Sequence, residues 1–297
     1  MAIQRYSSER VVAIVNPYAG KGEVRALAER AQQQLELLGF HVDVYLTAGR
    51  RDATTFAQRT VSEGVTRVLV IGGDGTINEV INGLVHSETA LGIVTAVSGN
   101  DSGRNLDLPK TMDEQLNRFL HSTPRHIDLG RVNGRYFLNV AGCGLDAAIA
   151  YTQNQAVVSG QRHVSYTRAA LATFPRFRPM RFSIEIDGEH LEMQRGWMVA
   201  VANGPIYGGG MKIAPQAKMD DGWLDVCLIG DMSTVQVYAT FPFVFLGKLE
   251  GKHGVTYRKC KQIKLASPGN LLVHADGEMV GKRSMEAEIV PQALWVL

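Results

Sequence analysis

A run of apolar residues that ends in a glycine turn constrains this chain more than any other stretch. Val68-Leu69-Val70-Ile71 has the length and β-branching of a buried strand, and Gly72-Gly73-Asp74-Gly75 follows it directly. Apolar residues then recur at helical spacing. Thr76 and Glu79 have the T-x-x-E spacing of a capping box, so we expect Thr76 to be the N-cap of this helix. The stretch therefore predicts a strand, a glycine turn and a helix N-terminus.

This arrangement favours the binding of a phosphate. Glycines let main-chain N–H groups approach a ligand without Cβ atoms in the way, and the helix dipole favours negative charge there. Asp74 is unexpected at such a turn, because a carboxylate repels a bare phosphate. Its presence indicates a metal ion, a ribose hydroxyl or a proton-transfer step, and the alternative is a solvated carboxylate in an ordinary strand-to-helix turn.

The first part of the chain alternates predicted strands with predicted helices. Such alternation predicts a parallel, doubly wound sheet, in which the loops at the carboxyl ends of the strands form the site. The strands are predicted at residues 11–15, 41–46, 65–71 and 91–97. The loops that follow them carry glycine or polar residues at 16–22, 47–51, 72–76 and 98–101.

Beyond Pro124 the pattern changes from strand–helix units to hairpins. Asn133-Gly134 and Asp187-Gly188 each follow an alternating apolar run, which is typical of type I′ turns. We therefore expect an α/β domain over residues 1–124 and a mostly antiparallel β-domain over residues 125–290. A final strand at about 291–297 is expected to return to the first domain.

The composition excludes several classes of protein. A chain of 297 residues with 45% apolar and 20% charged residues is globular rather than disordered. Cys143, Cys227 and Cys260 lie far apart, so neither a disulfide framework nor a zinc site is expected. The N-terminus lacks an apolar signal core, and no apolar stretch is long enough to span a bilayer. We expect a cytoplasmic protein.

Basic residues form two clusters in the second half. Between residues 147 and 184 every charged side chain is an arginine, and between 248 and 264 six basic residues accompany one acid, Glu250. Phenylalanines lie near both clusters. This combination suits an anionic membrane surface, where each basic residue contributes roughly 1 kcal/mol. A solvated basic face is the alternative, and no nucleic-acid-binding signature is visible.

Six motifs, taken together, resemble those of a known family. They are Asn16-Pro17-x-x-Gly20-Lys21-Gly22, Gly72 to Glu79, Ser98-Gly99-Asn100-Asp101, Tyr207-Gly208-Gly209-Gly210-Met211, Asp220-Asp221-Gly222-Trp223-Leu224-Asp225 and Asp276-Gly277-Glu278. With these motifs nearly the whole chain resembles the soluble bacterial diacylglycerol kinase and lipid kinase family, which is related to sphingosine kinases. The resemblance implies that residues 1–124 form a nucleotide-binding domain like that of NAD kinases and phosphofructokinases, and that residues 125–290 form a β-sandwich domain for the lipid substrate. It also implies transfer of the γ-phosphoryl group of ATP to a hydroxyl of diacylglycerol or a related lipid at the membrane surface.

The resemblance further implies roles for individual residues. The implied ATP-binding residues are Asn16, Lys21, Thr47, Gly72, Gly73, Asp74, Gly75, Thr76, Asn78, Ser98 and Asn100. Glu278 matches the proposed proton acceptor, with Asp74, Asp128 and Asp276 as acidic neighbours, and the choice of base between Asp74 and Glu278 stays open. A structural Mg²⁺, distinct from the Mg²⁺ that travels with ATP, would bind Asp221 and the main-chain carbonyls of Lys218 and Trp223, since hard cations take oxygen ligands.

Two other functions stay open at this stage. One is a soluble-substrate kinase such as an NAD kinase, which shares the glycine motif. The other is a nucleotide- or lipid-binding regulator without catalysis, because residues 97–103 read Val-Ser-Gly-Asn-Asp-Ser-Gly where the family usually has Gly-Thr-Gly-Asn-Asp-Phe-Ala. The expected partners are ATP, the lipid substrate, an anionic membrane surface contacted peripherally and a second copy in a homodimer. Nucleic acid is not expected.

Overall fold

The computed structural model describes residues 9–20, 24–95, 100–158 and 166–297. The chain divides into two compact units, Met1–Ile127 with Gln292–Leu297, and Asp128–Pro291. Among the described residues, none of the helices combines the length and the hydrophobicity that a bilayer crossing requires.

The first unit is built from alternating strands and helices. In chain order its elements are β1 (Arg10–Val15), α1 (Val24–Leu37), β2 (His41–Leu46), α2 (Asp52–Ser62), β3 (Arg67–Ile71), α3 (Asp74–Leu84), β4 (Ala90–Val94), α4 (Asp101–Asn105) and α5 (Met112–His121). The strands pair in parallel in the order β2-β1-β3-β4. All their carboxyl ends therefore lie at one edge of the sheet, as the alternation of the sequence predicts.

The second unit is mostly antiparallel. In chain order the elements that lie wholly or mostly in it are β5 (Arg125–Val132), β6 (Arg135–Phe137), β7 (Val140–Gly144), α6 (Leu145–Val158), α7 (Tyr166–Thr173), β8 (Met180–Ile186), β9 (Glu189–Ala202), β10 (Leu224–Gly230), α8 (Thr234–Phe245), β11 (Val255–Cys260), β12 (Gln262–Ala266), β13 (Val273–Ala275), β14 (Glu278–Gly281) and β15 (Ser284–Val296). The strands are ordered β14-β13-β7-β9-β8-β12-β15, and β10 pairs with β9 and β11. The expected hairpins are confirmed, but α6, α7 and α8 were not predicted.

Strand β9 is covered on both of its faces. Val199 and Val201 point into the core that the strands of the second unit share. Met198, Ala200 and Ala202 point into a second core to which α6, α7 and α8 contribute. A strand that is buried on both sides reads as a continuous apolar run rather than an alternating one, and this explains the sequence of the end of β9.

Both predicted type I′ turns are present. Asn133 and Gly134 have φ of 48° and 83°, and Asp187 and Gly188 have φ of 47° and 87°. Two consecutive residues with positive φ are what this turn requires. The turns join β5 to β6 and β8 to β9, so they also set the register of both hairpins.

The chain ends in the sheet of the first unit. Val296 of β15 pairs in parallel with Leu91 of β4. The N–H of Leu297 donates to the carbonyl of Leu91 at 3.0 Å. Arg118 of α5 donates through Nε to the carbonyl of Leu297 at 3.1 Å. Residues that are distant in sequence thus complete the edge of this sheet.

Candidate functional site

The loops at the carboxyl edge of the first-unit sheet are tied to neighbouring strands. The N–H of Asn16 donates to the carbonyl of Ile71 at 3.0 Å, and the N–H of Thr47 donates to that of Val15 at 2.9 Å. The structure therefore brings the predicted ATP-binding residues Asn16 and Thr47 to the same edge as the glycine turn after β3. Two further predicted residues, Lys21 and Ser98, lie outside the described part of the chain.

The glycine turn is closely packed on one side and open on the other. A Cβ at Gly72 would lie 2.9 Å from Cβ and Oγ1 of Thr76, whereas a Cβ at Gly75 would meet nothing within 4 Å. Asn16 donates through Nδ2 to Thr76 Oγ1 at 3.0 Å. The first N–H groups of a helix have no acceptor within the helix. Those of Asp74, Gly75 and Thr76 can therefore donate hydrogen bonds to an anion that approaches from the open side of the turn.

The predicted N-cap role of Thr76 is wrong. Helix α3 begins at Asp74, and its N-cap is Gly73, whose conformation is extended. Thr76 lies in the first turn, where its hydroxyl accepts from Asn16. Glu79 accepts instead from the N–H of Arg51 at 3.0 Å, which joins α3 to the loop before α2. Thr76 and Glu79 therefore make tertiary contacts instead of a capping box, because the helix begins three residues earlier than an N-cap at Thr76 would place it.

Asp74 connects the glycine turn to α4. Its Oδ2 accepts from the N–H of Asp101 at 3.1 Å, and its Oδ1 accepts from the N–H of Ser102 at 2.9 Å. Asn100, another predicted ATP-binding residue, caps the same helix by accepting from the N–H of Gly103 at 2.8 Å. The carboxylate of Asp74 is therefore fixed in place beside the turn. Asn78, further along α3, is buried.

In the second unit, Asp276 lies at the tip of the β13–β14 hairpin. Asp276 and Gly277 have φ of 46° and 85°. The carboxylate of Asp276 accepts from the N–H groups of Leu138 at 2.8 Å, Asn139 at 2.9 Å and Val140 at 3.1 Å. These contacts hold the turn against the start of β7. The side chain is suited to positioning the turn, because main-chain donors already use both of its oxygens.

Glu278 is the first residue of β14. Its carboxylate lies 3.1 Å from a guanidinium nitrogen of Arg135, and 41% of the side chain is exposed. An exposed carboxylate can reach the proton of a bound hydroxyl, and a neighbouring guanidinium restricts where it points. Sequence reasoning missed Arg135, which directly follows the predicted Asn133-Gly134 turn.

Asp128 is buried in β5 and is tied to the loop that precedes β10. Its Oδ2 accepts from the N–H of Gly222 at 2.7 Å. Buried Asn203, which sequence reasoning also missed, donates through Nδ2 to the carbonyls of Asp128 at 3.0 Å and Leu138 at 2.7 Å. Since Leu138 also contacts Asp276, the structure brings Asp128 and the Asp276 turn into one hydrogen-bonded network.

The predicted structural Mg²⁺ ligands face a lysine. Lys259 Nζ lies 2.7 Å from Asp221 Oδ2 and 3.3 Å from Asp225 Oδ2. Burial lowers the pKa of Lys259, but its bonds to these carboxylates outweigh burial, so the net pKa is raised. An ammonium thus already neutralises the one side chain expected to bind the ion. Among the described residues no group of three or more His, Cys, Asp or Glu side chains could hold a metal. The carboxylate of Asp221 is therefore paired with Lys259 at the predicted ion site.

An apolar cavity lies within the second unit. It measures about 50 Å³, and its lining includes Trp197, Tyr207 and Met211 together with Phe174 and Phe241. The Phe174 ring lies 5.1 Å from the rings of both Tyr238 and Phe241 of α8. The end of α7 and helix α8 therefore form one wall of the cavity, and such a lining suits a hydrocarbon chain.

Outside this wall the same helices expose apolar side chains. On α8 and directly after it, Val235 is 75% exposed and Leu246 61% exposed, and on α7 Leu171 is 60% exposed. Exposed basic residues flank them, namely Arg168, Arg176, Arg178 and Lys248. We call this set of residues the α7–α8 surface. Helices that expose both apolar and basic side chains are typical of an interfacial binding site.

Family profiles match nearly the whole chain. The profile "Diacylglycerol kinase catalytic domain" matches residues 10–132. The profile "YegS C-terminal NAD kinase beta sandwich-like domain" matches residues 139–297. A diacylglycerol kinase of Mycobacterium tuberculosis is 30% identical over 99% of this chain and 97% of the relative. A diacylglycerol kinase of Staphylococcus saprophyticus is 28% identical over 92% of this chain and 90% of the relative.

Solved structures have the same fold. A crystal structure of a diacylglycerol kinase from Bacillus anthracis superimposes with a TM-score of 0.75 at 24% identity, over 97% of this chain and 96% of that chain. A further structure from the same organism superimposes with a TM-score of 0.78 at 25% identity over the same shares of both chains. The predicted fold class, an α/β domain followed by a mostly antiparallel β-sandwich, is confirmed.

Proposed function

The chain belongs to the diacylglycerol kinase family, and we propose on this premise that it transfers the γ-phosphoryl group of ATP to a hydroxyl of diacylglycerol or a related lipid at a membrane surface. The observation that carries the proposal is the open glycine turn with Asp74 fixed beside it. The first unit is the proposed nucleotide-binding domain, and the second is the proposed lipid domain. No feature of the described residues favours an NAD kinase-like activity or a catalytically silent regulator over this reading.

In the proposed reaction the first unit binds the phosphates. The N–H groups of Asp74, Gly75 and Thr76 donate to phosphate oxygens, and their alignment requires no rearrangement as charge develops. Asn16 supports this turn through Thr76, and Thr47 and Asn100 lie in the adjoining loops. We propose the same binding role for Lys21, Gly72, Gly73, Asn78 and Ser98.

The second unit supplies the proton acceptor. The oxygen of the lipid hydroxyl forms a bond to the γ-phosphorus, the bond from that phosphorus to the bridging oxygen breaks, and ADP leaves. The hydroxyl proton passes to the carboxylate of Glu278, which Arg135 orients. Asp128 and Asp276 act by holding the loops around Glu278 rather than by touching the reacting atoms.

We propose that ATP binds together with Mg²⁺, because a divalent ion neutralises phosphate charge. At the second proposed site, of Lys218, Asp221 and Trp223, we propose that Lys259 substitutes for the ion. The ammonium bridges Asp221 and Asp225, which is 2% exposed, and so stabilises the loop before β10.

Replacing Lys259 with methionine is expected to destabilise the protein by about 1–3 kcal/mol, because the change leaves the carboxylate of Asp225 without its charged partner. The thermal unfolding midpoint of the variant should be higher in MgCl₂ than in EDTA, whereas that of wild type should be nearly the same in both. Both proteins are measured by thermal unfolding without nucleotide. The matched control is Lys264→Met, since Lys264 lies at 4.0 Å from Glu185 on the surface. An equal response to Mg²⁺ in wild type and variant would contradict the substitution.

We propose that the α7–α8 surface contacts the membrane. Val235→Asp combined with Leu246→Asp is expected to weaken binding to vesicles of anionic phospholipid roughly tenfold or more, because burying one such side chain contributes about 1.5–3 kcal/mol. Co-sedimentation with vesicles measures the effect. Leu37→Asp is the matched control, since Leu37 of α1 is 85% exposed but lies in the first unit. An equal loss of vesicle binding in the double variant and in Leu37→Asp would show that the α7–α8 surface does not contact the membrane.

The activity is tested with labelled ATP against a panel of lipids in mixed micelles, with NAD as the soluble alternative. Phosphorylated diacylglycerol or a related lipid, formed only in the presence of micelles, is the expected product. Turnover of NAD, or nucleotide binding without any lipid product, would overturn the proposal in favour of the two other functions. A homodimer and a cytoplasmic location stay predictions, and analytical ultracentrifugation and cell fractionation test them.

A further inference from the structure

A buried histidine and a buried aspartate form a pair in the second unit. His274 Nε2 lies 3.1 Å from Asp146 Oδ2, and their side chains are 2% and 1% exposed. They are 128 residues apart in sequence, His274 on β13 and Asp146 at the start of α6. Neither residue belongs to the motifs that identify the family, and neither has a part in the proposed phosphoryl transfer so far.

The hydrogen bonds identify which ring nitrogen of His274 carries the proton. The N–H of Gly277 points to Nδ1 at 3.3 Å. A main-chain N–H can only donate, so Nδ1 accepts. The proton of the neutral ring therefore lies on Nε2, which donates to the carboxylate of Asp146. Asp146 thus selects the form of the ring that can hold Gly277.

The space around this pair is closely filled. A Cβ at Gly142 would lie 1.9 Å from Asp146 Oδ2 and 3.1 Å from His274 Nε2, so only glycine leaves room for the contact. On the other side the ring of Tyr207 is parallel to that of His274, with an interplanar angle of 4° and centroids 6.3 Å apart. The histidine ring therefore has little freedom to rotate away from Gly277.

Gly277 is held from two directions. Its N–H contacts His274, and its carbonyl accepts from Asn154 Nδ2 at 2.9 Å. Asp276 is held separately by main-chain N–H groups of residues 138–140. The next residue is Glu278. The direction in which the Glu278 side chain leaves the turn depends on the peptide plane of Gly277, and His274 is the side chain that contacts the N–H of that residue.

We propose that His274, held by Asp146, is a positioning residue for phosphoryl transfer: its Nδ1 fixes Gly277 and so orients Glu278. The inference rests on the proposed function, because it assigns Glu278 the proton of the acceptor hydroxyl. His274 does not touch the substrate. Its contribution is to keep the carboxylate within reach of the hydroxyl, and a displacement of about 1 Å at such a group can cost about 10²-fold in rate.

Two variants distinguish the contact of His274 with Gly277 from its contact with Asp146. His274→Asn retains an acceptor at the place of Nδ1, and His274→Gln retains a donor at the place of Nε2. We expect His274→Gln to lower kcat by about 10²-fold with an unchanged KM for ATP, and His274→Asn to recover most of the wild-type kcat. Equal loss of kcat in both variants, or wild-type kcat in His274→Gln, would overturn the proposal, since a packing role alone does not distinguish them.

Two measurements that do not depend on turnover distinguish the positioning role of His274 from the proposed lipid kinase activity. The amide of Gly277 should exchange with solvent slowly in wild type and His274→Asn and faster in His274→Gln. In wild type labelled with ¹⁵N-histidine, the ring of His274 should show a protonated Nε2 and an unprotonated Nδ1. A protonated Nδ1 would overturn the inference even if the variants failed to fold. Wild type that shows this exchange and tautomer but no lipid turnover would overturn the proposed function instead.

Discussion

Replacing Asp74 with asparagine is expected to reduce phosphoryl transfer by on the order of 10²–10³-fold, with the protein still folded. The asparagine keeps one carbonyl oxygen for the N–H of Asp101 or Ser102, so α4 retains part of its anchor. What is lost is the fixed negative charge beside the glycine turn, which can bind the nucleotide's metal ion or accept a proton. Steady-state turnover with labelled ATP measures the loss, and thermal unfolding measures the structural cost.

The matched control for Asp74 is Asp52→Asn. Asp52 Oδ2 accepts from the N–H groups of Ala48 and Gly49, both at 2.8 Å, so it anchors a neighbouring loop in the same chemical way. We expect this variant to lose stability comparable to that lost by Asp74→Asn but to keep most of its turnover. If both variants lost activity in proportion to stability, Asp74 would be a loop anchor only.

Replacing Glu278 with glutamine is expected to lower kcat by about 10²–10⁴-fold, which is the usual contribution of a positioned general base. Glutamine has nearly the same shape but cannot accept the proton of the lipid hydroxyl. The KM for ATP should change little, because Glu278 lies outside the first unit, which is the proposed nucleotide-binding domain. Stability should also change little, because the Glu278 side chain is 41% exposed and an exposed carboxylate contributes little through an ion pair.

Glu288→Gln is the control for Glu278. Glu288 on β15 pairs with Arg131 on β5, again an exposed glutamate–arginine pair within the second unit. Removing this ion pair with Glu288→Gln should leave kcat within experimental error of the wild-type value. Should Glu278→Gln retain full kcat, Glu278 would not be the base, and Asp74 would be the remaining candidate of the two that the sequence left open.

Local patterns predicted the first unit well. Strands β1, β2 and β3 are short and contain β-branched residues, and each is followed by a helix that packs one apolar face, so period and length together identify them. The Asn133-Gly134 and Asp187-Gly188 turns were predicted because positive φ at two successive positions demands such residues. These features depend on neighbours in sequence, and sequence reasoning can reach them.

The helices of the second unit do not follow such local rules. Helix α8 buries Val237 and Val244 but exposes Val235 and Leu246 at its other face and its end, so apolar residues surround it and no amphipathic period appears. The functional contacts missed from the sequence are equally non-local: Lys259 with Asp221, Asn203 with Asp128 and His274 with Asp146 join residues that are 38, 75 and 128 positions apart. Only the packed fold reveals them.

The return of β15 to the first unit determines when this protein can finish folding during translation. Among the described residues, the other strands and helices of the first unit lie between residues 10 and 121, but the edge of β4 obtains its partner only when residues 292–297 have left the ribosome. Until then the nascent first unit has an unpaired strand edge, which is a template for aggregation. Loss of the last six residues would therefore harm the earliest synthesised part of the chain.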